Sequence, residues 1–299
     1  MAALASVYKE SDSFKAKFMK AALASKGGAT LTKVAMATKF GNLERCAKQN
    51  RWGNVSPETI TFKQLKGFVI FRLNEKIGAR TLQNDMSMIR RALAGAGREK
   101  FAQEICSNVA LGVPSGTRIG HGKVADPEVL ASALENAAPS TKALIQLSRF
   151  LGLREREAVM SADSINEWEI ALSQSRQITI RYGTKGGRLR VVMVSPDILN
   201  KALAGVRAAK EVLRQQEYLV VSKNLKAAVE QHSDRLAKLG LKGENSCHSL
   251  RRAFAMDQYK HYLAVGCSEK IALSRTSNDL GHGDGRGRWV YNNYIRNSL

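Results

Sequence analysis

A chain of 299 residues, 44% of them hydrophobic, can build two domains with separate cores and is not composed like a disordered polymer. Its 47 lysines and arginines against 26 aspartates and glutamates give a net charge of +21, divided as +12 through residue 120 and +9 beyond it. No apolar run approaches the ~18–20 residues of a membrane span, Met1 to Lys9 lack the apolar segment of a signal peptide, and Cys46, Cys106, Cys247 and Cys267 form no C-x-x-C pair.

The cysteine pattern suggests neither a zinc site nor a disulfide framework and fits a reducing cytoplasm. An excess of positive charge in both halves points to a polyanionic partner, nucleic acid above all. Composition alone also fits a generally basic protein such as a ribosomal component.

Residues 4–50 read as helical, alanine-rich and studded with lysine, with a break at Gly27-Gly28. Ser56-Pro57-Glu58 offers a helix start with Ser56 as N-cap and Pro57 at the first helical position. Phe62, Leu65, Phe68, Val69 and Leu73 follow at helical spacing. Thr81 opens another helix with an apolar stripe of Leu82, Met86, Ile89 and Leu93. Arg80, Arg90, Arg91 and Arg98 lie on or beside that stripe, and Arg80, Arg90 and Arg91 are candidate DNA contacts; spacing alone equally describes a bundle with a solvated basic face. Arg51-Trp52 fits either a DNA-contacting loop or a partly buried tryptophan.

Residues 113–126, rich in glycine and basic side chains, read as a linker between a helical domain at 1–112 and a second domain at 127–299. Helices are expected from Pro127 to about Ala137 and over 140–151. The second ends in Gly152-Leu153-Arg154-Glu155-Arg156-Glu157, followed by Ala158 to Asp163. Residues 178–182 and 189–193 alternate like the strands of a hairpin. Between them Gly183-Thr184-Lys185-Gly186-Gly187-Arg188 forms a turn whose glycines permit positive φ. Residues 196–215 and 225–239 read as amphipathic helices. The fold class is therefore mainly α with a small β-hairpin, an α+β protein.

His248-Ser249-Leu250-Arg251 then presents imidazole and guanidinium on one helical face, since positions three apart are neighbours. Arg252 adds a further cation, and a basic helix face is the plain alternative. Leu280-Gly281-His282 follows, then the glycine-rich run Gly283-Asp284-Gly285-Arg286-Gly287-Arg288, with Tyr291 and Tyr294 beyond it. Glycine has low helix propensity, so the last helix is expected to begin only near Arg288. Basic groups, histidines and a tyrosine hydroxyl suit attack on a phosphodiester, with arginine gripping the phosphate oxygens.

These boxes resemble the signature of the tyrosine recombinases, the family of phage-type integrases and chromosome-dimer resolvases. The resemblance covers roughly residues 30–294 and is specific in the second domain. It implies a helical core-binding domain that clamps duplex DNA opposite a catalytic domain. Arg154, Arg251 and His282 would stabilise charge on the phosphate, with Glu157 and Asp163, the latter on a short strand that the resemblance implies, as supporting acids. Lys185, on the hairpin, would protonate the departing 5′-oxygen, a task less suited to the permanently charged Arg188. His248 would share the proton of the nucleophile. Tyr291 keeps the usual nine-residue offset from His282 and is the first choice; Tyr294 is correct if the glycine-rich turn holds a three-residue insertion.

The implied function is site-specific recombination by an integrase of a mobile element through a 3′-phosphotyrosyl intermediate, needing no metal, ATP or other cofactor. A homo-tetramer on double-stranded DNA with accessory DNA-bending proteins is implied too, in a bacterial or phage setting. The amino terminus looks short for a separate arm-site-binding domain. The alternatives are a type IB topoisomerase-like strand-relaxing enzyme and an inactive DNA-binding protein of the same fold.

Overall fold

The structure, a computed structural model, describes residues 13–25, 30–116, 120 and 122–299. It divides into two compact units, Met1–Thr117 and Arg118–Leu299.

The first unit packs helices α1 (Phe14–Ser25), α2 (Thr30–Gln49), α3 (Phe62–Asn74) and α4 (Ala79–Gly95), followed by a π-helical turn, Phe101–Ile105. Phe18, Phe40, Phe68, Leu82, Met86 and Ile89 are fully buried between them, so the apolar stripe of α4 faces the core. One acid is buried with them: Asp85 lies 2.8 Å from Lys39 and 3.1 Å from Arg72, which compensates its desolvation. The Gly27-Gly28 break lies outside the described residues.

The helix expected to start at Ser56 starts later. Its N-cap is Thr61, whose hydroxyl accepts from the Gln64 N–H at 3.3 Å while the Gln64 carboxamide accepts from the Thr61 N–H at 2.9 Å. This reciprocal capping box satisfies two donors that the Ser56-Pro57 segment would leave open.

The second unit contains α5 (Pro127–Asn136), α6 (Pro139–Phe150), α7 (Glu155–Val159), α8 (Ile165–Ser175), α9 (Pro196–Gln215), α10 (Leu225–Lys238), α11 (Cys247–Ala264), α12 (Glu269–Asp279) and α13 (Gly287–Val290). Strands β1 (Gln177–Ile180) and β2 (Arg190–Met193) pair antiparallel between α8 and α9, with Ile178 opposite Val192 and Ile180 opposite Arg190. The inward residues of the hairpin join Leu147, Trp168, Val206 and Phe254 in one core. Gly152 adopts φ +60°, and a Cβ there would stand 2.3 Å from the Phe254 ring, so this turn requires glycine.

One expectation changes here. Residues 162–164, expected as a strand bearing Asp163, form a 3₁₀ turn that leads directly into α8, with the Ser164 N–H on the Ser161 carbonyl and Asp163 exposed. The 113–126 stretch is anchored at both ends. Val113 is buried in the first unit's core and Ala125 in the second's, and the Val124 N–H donates to Ser298 Oγ at 3.0 Å. Thr117, Arg118, Ile119 and His121 of that stretch lie outside the described residues. Among the described residues no helix is long and apolar enough to cross a membrane, and all four cysteines are free thiols.

Candidate active site

One buried carboxylate organises the centre of the second unit. Glu157, in the first turn of α7, accepts from its own N-cap residue, Arg154, twice: from the backbone N–H at 2.8 Å and the guanidinium at 2.5 Å. Arg190, reaching in from β2, lies 2.7 Å from Oε2, the oxygen that also accepts the Arg154 N–H, and Arg251 of α11 stands 3.9 Å from it. Burial raises the Glu157 pKa, but Arg190, Arg251 and Arg154 together outweigh it and hold the group down to about 2.

The two fully enclosed arginines also grip backbone. Arg251 donates to the carbonyls of Gly152 and Leu280, and Arg190 donates to those of Gly152 and Asp279. Arg251 Nε, buried in the structure, has no hydrogen-bond partner. Three guanidiniums on one carboxylate leave an excess of positive charge, and an unused buried donor points the same way: the cradle suits an anion.

Both histidines of the boxes are kept neutral. Desolvation, then Arg252, Arg251 and Arg154, lowers His248 to about 4 although its ring is open to solvent. Desolvation, then the same cradle, lowers His282 to about 3. His282 Nε2 is 3.3 Å from the Tyr294 hydroxyl, a contact that a neutral imidazole can make as acceptor. The Tyr294 ring, only 3% exposed, is packed by His248, His282 and Trp289 at centroid distances of 5.2, 5.6 and 5.8 Å.

Tyr291 is directed elsewhere. After α13 the chain widens into a π-helical turn, Tyr291–Ile295, and Tyr291 lines a separate pocket with Glu269, Leu273 and Arg288. The first-choice tyrosine is therefore outside the cluster and the alternative is inside it. The physical reason is the run 283–286: it is loop and turn, helix begins only at Gly287, and the residue facing His282 comes three positions further on. The phenol also meets His282, whereas the sequence reading assigned its proton to His248.

Tyr294, His248, His282 and Arg154 share a cleft of about 1150 Å³ with Lys185, Arg188, Arg252 and Arg286. Lys185 begins the 3₁₀ turn of the hairpin, where Gly186 and Gly187 take φ of +74° and +70°. Arg188 is exposed on the same rim, and Arg252 is tied to the Asn293 carbonyl at 3.2 Å. Asp163 is exposed and not part of this cluster; the second acid near it is Asp279, which accepts from the Met193 N–H at 3.1 Å and the Tyr262 hydroxyl at 2.8 Å.

Of the first-unit candidates, Arg80 is exposed, with a 3.5 Å contact to Gln83. Arg90 and Arg91 serve the fold instead: Arg90 donates to the Cys106 carbonyl at 3.1 Å and Asn108 at 2.8 Å, and Arg91 to the Ala22 carbonyl at 2.9 Å. Sequence reasoning missed Arg190, Asp279 and Trp289. The signal for Arg190 was strand alternation, which puts it on the inward face with Val192 and so demands a buried partner. Among the described residues no group of His, Cys, Asp or Glu is arranged to hold a metal.

The sequence matches the integrase domain family over residues 115–257 and the phage integrase N-terminal domain family over residues 16–102. A search of curated proteins finds no match. Among solved structures, the chain is similar to the Tn1549 transposon integrase (residues 82–397) in complex with circular intermediate DNA. The TM-score is 0.57 over 94% of each chain, at 12% identity, a likeness of fold. Neither family match reaches His282, Trp289 or Tyr294, so the last box stands on its geometry alone.

Proposed function

The chain belongs to the phage integrase family of tyrosine recombinases, and from that premise we propose that it cleaves and rejoins DNA at specific sites of a mobile element with Tyr294 as nucleophile. The observation that carries this reading is the 3.3 Å approach of the Tyr294 hydroxyl to neutral His282 on the wall of an arginine-rich cleft.

In the proposed reaction the Tyr294 oxygen attacks phosphorus and the P–O5′ bond breaks, giving a 3′-phosphotyrosine and a free 5′-hydroxyl. His282 takes the phenolic proton, and Lys185 supplies one to the departing oxygen. Arg154 and Arg251 stabilise the charge that builds on the non-bridging oxygens. One ester replaces another of similar energy, so the hydroxyl of a partner strand can reverse the step without ATP. Recombination needs two sites, and we take the working form to be a tetramer on duplex DNA in the cytoplasm, with Lys185, Arg188, Arg252 and Arg80 contacting phosphates.

A duplex from the junction of the encoding element, nicked beside the scissile phosphate so that the cleaved flank diffuses away, tests this. Wild type is expected to give a shifted band on a denaturing gel and Tyr294→Phe none. A Tyr294→Phe protein that still traps covalent DNA would remove the nucleophile assignment; no band from wild type on any junction duplex would leave a binding protein.

A further inference from the structure

We propose that Arg190 is a positioning residue for cleavage: by holding Glu157, it keeps Arg251 off that carboxylate and leaves the unpartnered Arg251 Nε to the scissile phosphate. The inference rests on the recombinase reading given above.

Arg190 is 6% exposed and its donors are committed. Nε and Nη2 reach Glu157 at 3.4 and 2.7 Å, Nη2 also reaches the Gly152 carbonyl at 3.0 Å, and Nη1 takes the Asp279 carbonyl. All three guanidinium nitrogens of Arg190 are thus committed to protein, whereas Arg251 keeps its Nε without a partner, so Arg251 and not Arg190 has a donor to spare for phosphate. Arg190 sits instead beneath both segments that shape the cradle, the Gly152 turn before Arg154 and the Leu280-Gly281-His282 turn. Gly281 passes so close that a Cβ there would stand 2.5 Å from Arg190 Cδ, at φ +67°.

The charges explain why this matters. Glu157 Oε2 is 2.7 Å from Arg190 but 3.9 Å from Arg251. With Arg190 present, the carboxylate is balanced without drawing on Arg251. Without it, the buried carboxylate would draw Arg251 inward, off the anion. A displacement of about 1 Å at reacting groups costs on the order of 100-fold in rate.

The test is single-turnover trapping on the nicked junction duplex with wild type, Arg190→Lys, Arg190→Met and the double variant Arg190→Met with Glu157→Gln. A covalent band from wild type establishes the parent reading independently. Arg190→Met is expected to slow trapping about 100-fold with duplex affinity within about threefold, because phosphate contacts elsewhere in the cleft are untouched. Neutralising Glu157 in the same protein should restore at least about tenfold, the non-additivity expected of coupled residues. Arg190→Lys should fall between wild type and Arg190→Met, and the same Glu157→Gln comparison made on it decides the case if Arg190→Met does not fold. Trapping at the wild-type rate in Arg190→Met, or a double variant no faster than its single parent, would overturn the proposal and make Arg190 a purely structural cation.

Discussion

The hydroxyl of Tyr294 stands 3.3 Å from His282 Nε2, and Trp289 packs on the same imidazole with ring centroids 4.4 Å apart. The tyrosine and its acceptor are thus fixed against each other before any substrate arrives. His282→Ala is expected to slow covalent trapping by about 100-fold or more, the usual contribution of a proton acceptor. Tyr291→Phe should trap at the wild-type rate, since Tyr291 lines a different pocket. Rates measured side by side decide it: loss in Tyr291→Phe with retention in Tyr294→Phe would return the nucleophile to the nine-residue offset.

Binding should couple to protons. His248 and His282 are held at about 4 and 3, in part by the positive charge of Arg154 and Arg251 beside them. A phosphate in the cradle cancels that charge, so both values rise toward ordinary imidazole in the complex, and binding takes up protons wherever free and bound values differ. Affinity for the junction duplex is therefore expected to increase as pH falls from 7 toward 5. Titrations across that range that show flat or falling affinity would mean that the phosphate does not reach these two rings.

The parts of this arrangement that follow from local rules were legible in the sequence. His248 and Arg251 are three apart on one helix, and Arg154 with Glu157 is a helix start whose N-cap backbone bonds the third helical side chain. The tyrosine was not legible by counting. An offset assumes ordinary helix after His282, whereas 283–286 is loop and turn and Tyr291–Ile295 is π-helical, which moves the facing residue along the chain. Arg90 and Arg91 looked like surface cations because they flank the apolar stripe of α4. A carbonyl left open by a neighbouring turn, such as that of Cys106, cannot be seen in one dimension. The late start of α3 has the same origin: the N-cap expected at Ser56 is displaced to Thr61, which has a glutamine three positions on.

Salt dependence should separate phosphate contacts from structural arginines. Arg80 and Arg188 are exposed, and each that neutralises a phosphate contributes about one unit to the slope of log affinity against log salt. Arg188→Ala and Arg80→Ala are expected to lower that slope by about one each while leaving thermal stability unchanged. Arg90→Ala should do the reverse, keeping the slope and costing about 1–3 kcal/mol of stability, because the Cys106 carbonyl and Asn108 lose their donor. An unchanged slope in Arg188→Ala would move the DNA path off the hairpin rim.

His232 makes a prediction independent of DNA. It is 0% exposed within α10, and neither ring nitrogen has a hydrogen-bond partner. Burial, with Arg235 adding to it, lowers its pKa to about 4. The folded value lies below the unfolded one, so the stability tied to the neutral ring is complete above about pH 6.5 and is lost as pH falls toward 4. Leucine fills similar space without a polar atom to desolvate. His232→Leu is therefore expected to be more stable than wild type by about 1 kcal/mol at pH 7.5, and the gap should widen at pH 5, where wild type must keep a ring neutral that the unfolded chain protonates. Urea unfolding at the two pH values measures both. A variant less stable at pH 7.5, or a gap that narrows at pH 5, would mean that His232 is bonded in solution and that its neighbours on α10 reorganise around it.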